Sequence, residues 1–207
     1  MSQHPLSFRI IYPFLRAFAW CLFLCLGAPM RRRRARNVPM SGPLLVLSNH
    51  MSNTDPILVQ YSSPRLLHFM ARRELFDWRF LGKFLKWWRA FPITQSSADT
   101  EAIRRAIELI KEGNAVCLFP EGQLSPDGKL IELLPGAHLI VRRTECTCIC
   151  VGLKGTNKLM PHPKLTPQFA KSWLTATWGE PRKFTKADSR EDFMTWLETE
   201  LKQLSDQ

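Results

Sequence analysis

The stretch "LLVLSNHMSNTDP", residues 44–56, runs four apolar residues into Ser48, Asn49 and His50 and brings back a carboxylate at Asp55. A short apolar run bounded by turn residues reads as a buried strand, here at about 44–48. Proline is at home in a first helical turn, so a helix begins near Asp55-Pro56. The stretch is therefore strand, polar loop, helix. A histidine is the natural general base near neutral pH, and it needs a partner that fixes its tautomer and stabilises the imidazolium. Five positions with a turn between them let Asp55 fold back onto His50. The alternative is a loop with scattered polar residues.

A second polar segment, "FPEGQLSPDG" (119–128), ends another apolar run, "AVCLF" (115–119). Before it, Ala102, Ile103, Ala106, Ile107 and Ile110 recur at helical spacing and Gly113 supplies the helix end. A further strand is expected at about 146–153, "CTCICVGL", and an amphipathic helix, "REDFMTWLETELKQL", closes the chain. The alternation predicts an α/β fold, a single layered domain over 37–207 with a mixed central sheet flanked by helices. Ligand sites in such sheets form at the carboxyl ends of strands. Two such ends here carry His50, Asp55, Glu121 and Gly122.

These boxes carry a resemblance. "NHMSNTD" is similar to the N-H-x-x-x-x-D box of the glycerolipid acyltransferases, the 1-acylglycerol-3-phosphate acyltransferase family. "FPEGQLS" resembles their F-P-E-G-x-x-S box, and "CVGLKGT" (150–156) their late P-V-x-x-x-G segment. The likeness covers roughly residues 36–180. It implies transfer of a fatty acyl group from acyl-CoA or acyl carrier protein to the hydroxyl of a lysophospholipid. The foremost acceptor is 1-acylglycerol-3-phosphate, giving phosphatidic acid. His50 would deprotonate the hydroxyl and Asp55 would orient His50. Asn49, Glu121 and Gly122 would help hold the acceptor. No metal or bound cofactor is implied, the thioester being a co-substrate. The chain has no G-x-S-x-G elbow, in keeping with a hydroxyl supplied by substrate.

Four positions depart from the family pattern: Arg89 stands at the Gly of a second box, Cys150 at the Pro of the late segment, and two glutamines at acceptor-binding positions. Gln95 stands where that second box, G-x-[IF]-x-x-x-R, has its phosphate-binding arginine, and Gln123 stands where Arg or Thr usually follows Glu-Gly. Glutamine can hydrogen-bond a phosphate but adds no charge. Lys83, Lys86, Arg89 and Lys129 are candidate replacements. The alternatives are another lysophospholipid, a non-phosphate alcohol, or a non-catalytic lipid-binding protein.

The chain carries 29 Lys+Arg against 18 Asp+Glu, a net charge of +11, which implies an anionic partner. Seven Trp and thirteen Phe tilt the choice toward a membrane surface and away from nucleic acid. Residues 8–28 are the most hydrophobic stretch, but Arg9 and Arg16 interrupt it on one helix face. Phe8, Ile11, Tyr12, Leu15, Phe18 and Leu22 would form the opposing stripe. Residues 1–36 thus read as a membrane-associating segment whose helix lies in the interface, the alternative being a full span. "MRRRRAR" (30–36), with five Arg in the six positions 31–36, would meet anionic lipid heads. Pro29 and this run disfavour a cleaved signal peptide. A second basic-aromatic helix is expected over about 76–88, with Trp78, Trp87 and Trp88 as lipid-groove candidates. Cys21, Cys25, Cys117, Cys146, Cys148 and Cys150 lie mostly in apolar runs without disulfide-scaffold spacing. That suits a membrane-associated protein with its site on the reducing, cytoplasmic side.

Overall fold

Every residue of Leu44–Ser48 is buried, as a central strand covered on both faces requires. Leu44 and Val46 enter one core cluster and Leu45 and Leu47 the other. The computed structural model describes residues 6–93, 100–161, 163–164 and 166–206, with side chains from residue 10 onward. The helices are α1 (Leu6–Cys25), α2 (Asp55–Ser62), α3 (Glu74–Asp77), α4 (Arg79–Trp87), α5 (Thr100–Lys111), α6 (Gly136–Thr144), α7 (Thr156–Leu159) and α8 (Arg190–Asp206). The strands are β1 (Met30–Arg33), β2 (Leu44–Ser48), β3 (His68–Arg72), β4 (Phe91–Ile93), β5 (Ala115–Leu118), β6 (Thr147–Lys154), β7 (Leu174–Trp178) and β8 (Arg182–Lys183).

The strands form one mixed sheet in the order β1-β7-β6-β2-β5-β3-β4, with β8 on the start of β6. β2 pairs in parallel with both β5 and β6, while β6 and β7 run antiparallel. One face carries Phe23, Leu58 and Val59 from α1 and α2. The other carries Ala106, Ile110, Ile140, Phe193 and Leu201 from α5, α6 and α8. Cys146, Cys148 and Cys150 all point into this second layer. Gly152 lets α8 lie against β6, since a Cβ there would meet the Leu204 carbonyl carbon at 2.3 Å.

The strands expected near 44–48, 115–119 and 146–153 and the helices near 55, 102–110 and 190–204 are present. Several other expectations are corrected. The arginine run is not a segment outside the domain: Met30–Arg33 is an edge strand paired with β7. Phe23, Ala28 and Met30 lie in the core, so the sheet extends across the boundary expected at 36/37. The region 76–88 is two short helices broken at Trp78. His68–Arg72, read only as part of an apolar-basic alternation, is a strand.

Among the described residues, no helix is long and apolar enough to cross a membrane. α1 instead packs on the domain through Ala19 and Phe23, with Leu26 just after it. The Tyr12 hydroxyl donates to the Gln60 carbonyl at 2.6 Å. Arg16 does not oppose the apolar stripe: its guanidinium lies 5.2 Å from the Tyr61 ring centre, among the residues that line a groove with Tyr12 and Leu15. The outward ridge is Ile10, Phe14 and Phe18, exposed by 57%, 71% and 65%.

Candidate active site

Parallel pairing of β2 with β5 brings the carboxyl ends of the two strands side by side. His50 follows β2 by two residues and Glu121 follows β5 by three. Between His50 and α2 the loop closes around the carboxylate of Asp55. Its Oδ2 accepts from the Met51 N–H at 2.7 Å and the Ser52 N–H at 2.8 Å, and lies 2.8 Å from His50 Nδ1. The five-residue spacing therefore has a physical reason. It lets the first residue of α2 reach back over one turn and gather three donors on one oxygen.

A carboxylate can only accept, so Nδ1 carries the proton and Nε2 presents its lone pair. Nε2 has no hydrogen-bond partner among the described residues. Asp55 is fully buried, whereas His50 is 18% exposed. The dyad is thus a buried anion with a base reaching toward solvent. The second Asp55 oxygen, Oδ1, is buried without a hydrogen-bond partner, so Oδ2 carries the site's hydrogen bonding.

The second box braces the first. Glu121 Oε1 accepts the backbone N–H of His50 at 2.6 Å and Oε2 that of Ile131 at 3.1 Å. Ser125 N–H donates to the His50 carbonyl at 2.8 Å. The Phe119 ring stacks on His50, 4.0 Å between centres and 21° from parallel. The histidine is held by its backbone and one ring face, while its reactive nitrogen is not. Phe119 and Ser125 were not among the expected site residues. Their signal was the box itself, which carries an aromatic at its strand end and a serine six residues on.

The other expected residues fall in different places. Asn49 is buried and exchanges two hydrogen bonds with Leu153, accepting its N–H at 2.7 Å and donating to its carbonyl at 3.1 Å. It is turned to β6 and clamps the late segment to the first box. Glu121 is likewise turned to backbone, not to open space. Gly122 has φ +68°, a conformation that favours glycine, and supports the turn after Glu121. Gln123 is exposed beside it. Gln95 lies outside the described residues. An apolar groove of about 260 Å³ runs along α2 from Ile57, walled by α1 and by Phe84, Trp87 and Trp88. Trp78 is not in it and stands 68% exposed.

Burial pushes the Glu121 carboxyl above its ordinary value of 4.5, against the opposing pull of the His50 and Ile131 N–H donors. A raised folded-state value favours the protonated form. The stability this group contributes is therefore full below the ordinary value and is lost as pH rises through the folded value. Thermal unfolding of the wild type and Glu121→Gln across pH 4 to 8 should show the wild-type advantage shrinking as pH rises. An advantage that grows with pH would mean that the two N–H bonds outweigh burial.

Residues 30–154 match the family model described as Acyltransferase. The chain belongs to the acyltransferase family. A 1-acyl-sn-glycerol-3-phosphate acyltransferase of Bacillus subtilis is 30% identical over 135 residues, 65% of this chain and 67% of that protein. The chloroplastic 1-acyl-sn-glycerol-3-phosphate acyltransferase of Arabidopsis thaliana is 30% identical over 128 residues, 60% of this chain and 36% of that protein. This family member thus spans little more than a third of its chloroplastic relatives. Its fold is that of the 1-acyl-sn-glycerophosphate (LPA) acyltransferase from Thermotoga maritima, at a TM-score of 0.79 and 23% identity, covering 96% of this chain and 80% of that one.

Proposed function

We propose that this chain transfers a fatty acyl group from acyl-CoA or acyl carrier protein to the hydroxyl of 1-acylglycerol-3-phosphate, giving phosphatidic acid. The observation that carries the proposal is the His50–Asp55 contact, with Nδ1 held at 2.8 Å and Nε2 left to act. Nε2 takes the acceptor's hydroxyl proton as the oxygen attacks the thioester carbonyl. The tetrahedral intermediate expels the thiolate, which recovers the proton from His50. Asp55 stabilises the transient imidazolium. The groove starting at Ile57, two residues from Asp55, offers an apolar path for an acyl chain. The reaction needs no bound metal or cofactor in this scheme. The exposed apolar ridge of α1 favours work at a membrane surface, and the free cysteines favour a site on its reducing, cytoplasmic side.

A second reading follows from Gln123. It is exposed at the turn that would meet the acceptor and is neutral where relatives of the resembled family carry Arg or Thr. A lysophospholipid with a larger head group, or a non-phosphate alcohol, would need less charge there.

Acyl transfer from both thioesters to lysophosphatidic acid, head-grouped lysophospholipids and a long-chain alcohol separates the readings, with His50→Ala as the blank. Turnover confined to lysophosphatidic acid is the expected result. Turnover only of another acceptor would keep the mechanism and change the substrate. Transfer to none would return the chain to a lipid-binding role.

A further inference from the structure

We propose that Arg32, Arg34 and Arg36 form a binding cleft for the phosphate of an anionic bilayer phospholipid, separate from the His50–Asp55 dyad. The cleft has a volume of about 450 Å³ and is lined by these arginines with Ala35 and Pro64. Strand alternation selects them. Met30 points into the core beneath α1 and α2, and Arg32, two residues on, shares that face. Arg31 points the other way, its guanidinium 4.6 Å from the centre of the Trp173 ring. Arg34 follows in a left-handed conformation, φ 54°, and turns the chain so that Arg36 joins the same opening.

Among the described residues, Arg32, Arg34 and Arg36 make no salt bridge. Charge on an edge strand commonly serves only to block pairing with another chain. Here three exposed guanidiniums instead line one opening, where their fields add and favour an anion. Guanidinium is well matched to the paired oxygens of a phosphate.

One placement separates the cleft from the dyad, and a second points to a bilayer as the source of that phosphate. The cleft lies at the far end of α2 from the catalytic site. Pro64 follows α2, Asp55 begins it, and eight helical residues separate the two by about 12 Å. The cleft also adjoins the inner face of α1: Arg32 acts on the phenol of Tyr12, whose hydroxyl turns inward to Gln60, while Ile10, Phe14 and Phe18 form the outward face of the same helix. An apolar ridge on the outer face of α1, with guanidiniums on its domain side, matches acyl chains beyond a phosphate plane. A nucleic acid would match the charge but not the ridge. The cleft would fix how α1 lies on the surface. This inference rests on the proposal that the enzyme works at a membrane, and not on which acceptor it uses.

The test is vesicle flotation of the full chain, with phosphatidylcholine alone and with about a third phosphatidylglycerol. The cleft variant is Arg32→Gln/Arg34→Gln/Arg36→Gln. A control of equal charge loss, Lys111→Gln/Arg142→Gln/Arg143→Gln, sits on α5 and α6 across the sheet. At about a fivefold effect per arginine, the cleft variant should bind anionic vesicles roughly a hundredfold more weakly. The control should change several-fold at most, and binding to neutral vesicles should be alike in all three proteins. Equal losses in both variants would mean a diffuse field and overturn the site. So would undiminished binding by the cleft variant, or a loss seen only with a single-stranded oligonucleotide. Failure of the wild type to float with any vesicle would overturn the membrane proposal itself.

Discussion

His50→Ala should lower kcat for acyl transfer by about 10² to 10⁴-fold, the usual contribution of a positioned general base, while the acceptor's KM and the fold change little. The asymmetry follows from how the residue is held. Its N–H and carbonyl are fixed by Glu121 and Ser125, and neither contact involves the imidazole. Truncation removes the stacked ring from Phe119 and one of the three donors on Asp55 Oδ2, leaving the Met51 and Ser52 N–H groups in place. The ring is partly exposed, so water can reach the vacated position. A stability loss of about 1 kcal/mol is expected, the net value of one hydrogen bond. Steady-state kinetics and a thermal melt on the same preparation test both halves. Wild-type turnover in the variant would remove His50 from the chemistry, and a collapsed melt would make the histidine a structural residue.

The core of the fold was legible where local pattern and tertiary role agree. Leu44–Leu47 is a continuous apolar run because it belongs to a central strand with a parallel neighbour on each side. The helix at 100–111 displays its buried Ala102, Ala106 and Ile110 at the spacing that its position on the sheet demands. The edges were not legible, and for physical reasons. β1 is Met-Arg-Arg-Arg, which by composition is a solvated charge run, and only its register with Leu174–Thr177 makes it a strand. β3 is brief and mixes apolar with basic residues, and β4 is only Phe-Pro-Ile, so neither a two-residue nor a 3.6-residue period is sampled long enough to decide.

The candidate site divides in the same way. The contact between His50 and Asp55 is local, one turn of chain, and the spacing is enough to see it. What Asn49 and Glu121 do depends on partners far along the chain. Asn49 is polar, sits beside the base and reads as a substrate contact, yet its amide closes on Leu153 from another strand. Glu121 reads as an acceptor contact, yet its oxygens take the N–H groups of His50 and Ile131. The two boxes are therefore less a list of groups that touch substrate than two halves of one brace. Most of their polar residues hold the backbone so that one nitrogen can stay unengaged.

Asp55→Asn should cost less than His50→Ala, about 10² to 10³-fold in kcat, and combining the two should cost no more than His50→Ala alone. The amide oxygen is expected to take the place of Oδ2. Reversal would set an NH₂ against the Met51 and Ser52 N–H groups, two donors that cannot accept whatever the tautomer of His50. With the oxygen so placed, Nδ1 keeps its proton and Nε2 keeps its lone pair. The tautomer survives and what is lost is the anion that stabilises the imidazolium. The new NH₂ then falls at the position of Oδ1, buried and unpartnered. Leaving it so should cost about 1 to 3 kcal/mol of stability. Asp55→Ala would cost more, because it strips both backbone donors of their acceptor and opens a cavity at the start of α2. Kinetics of the two single variants and the double variant decide the coupling. Groups that act as a unit lose little more when both are removed than when one is. Multiplying losses would mean that Asp55 serves the reaction by a route that does not pass through His50.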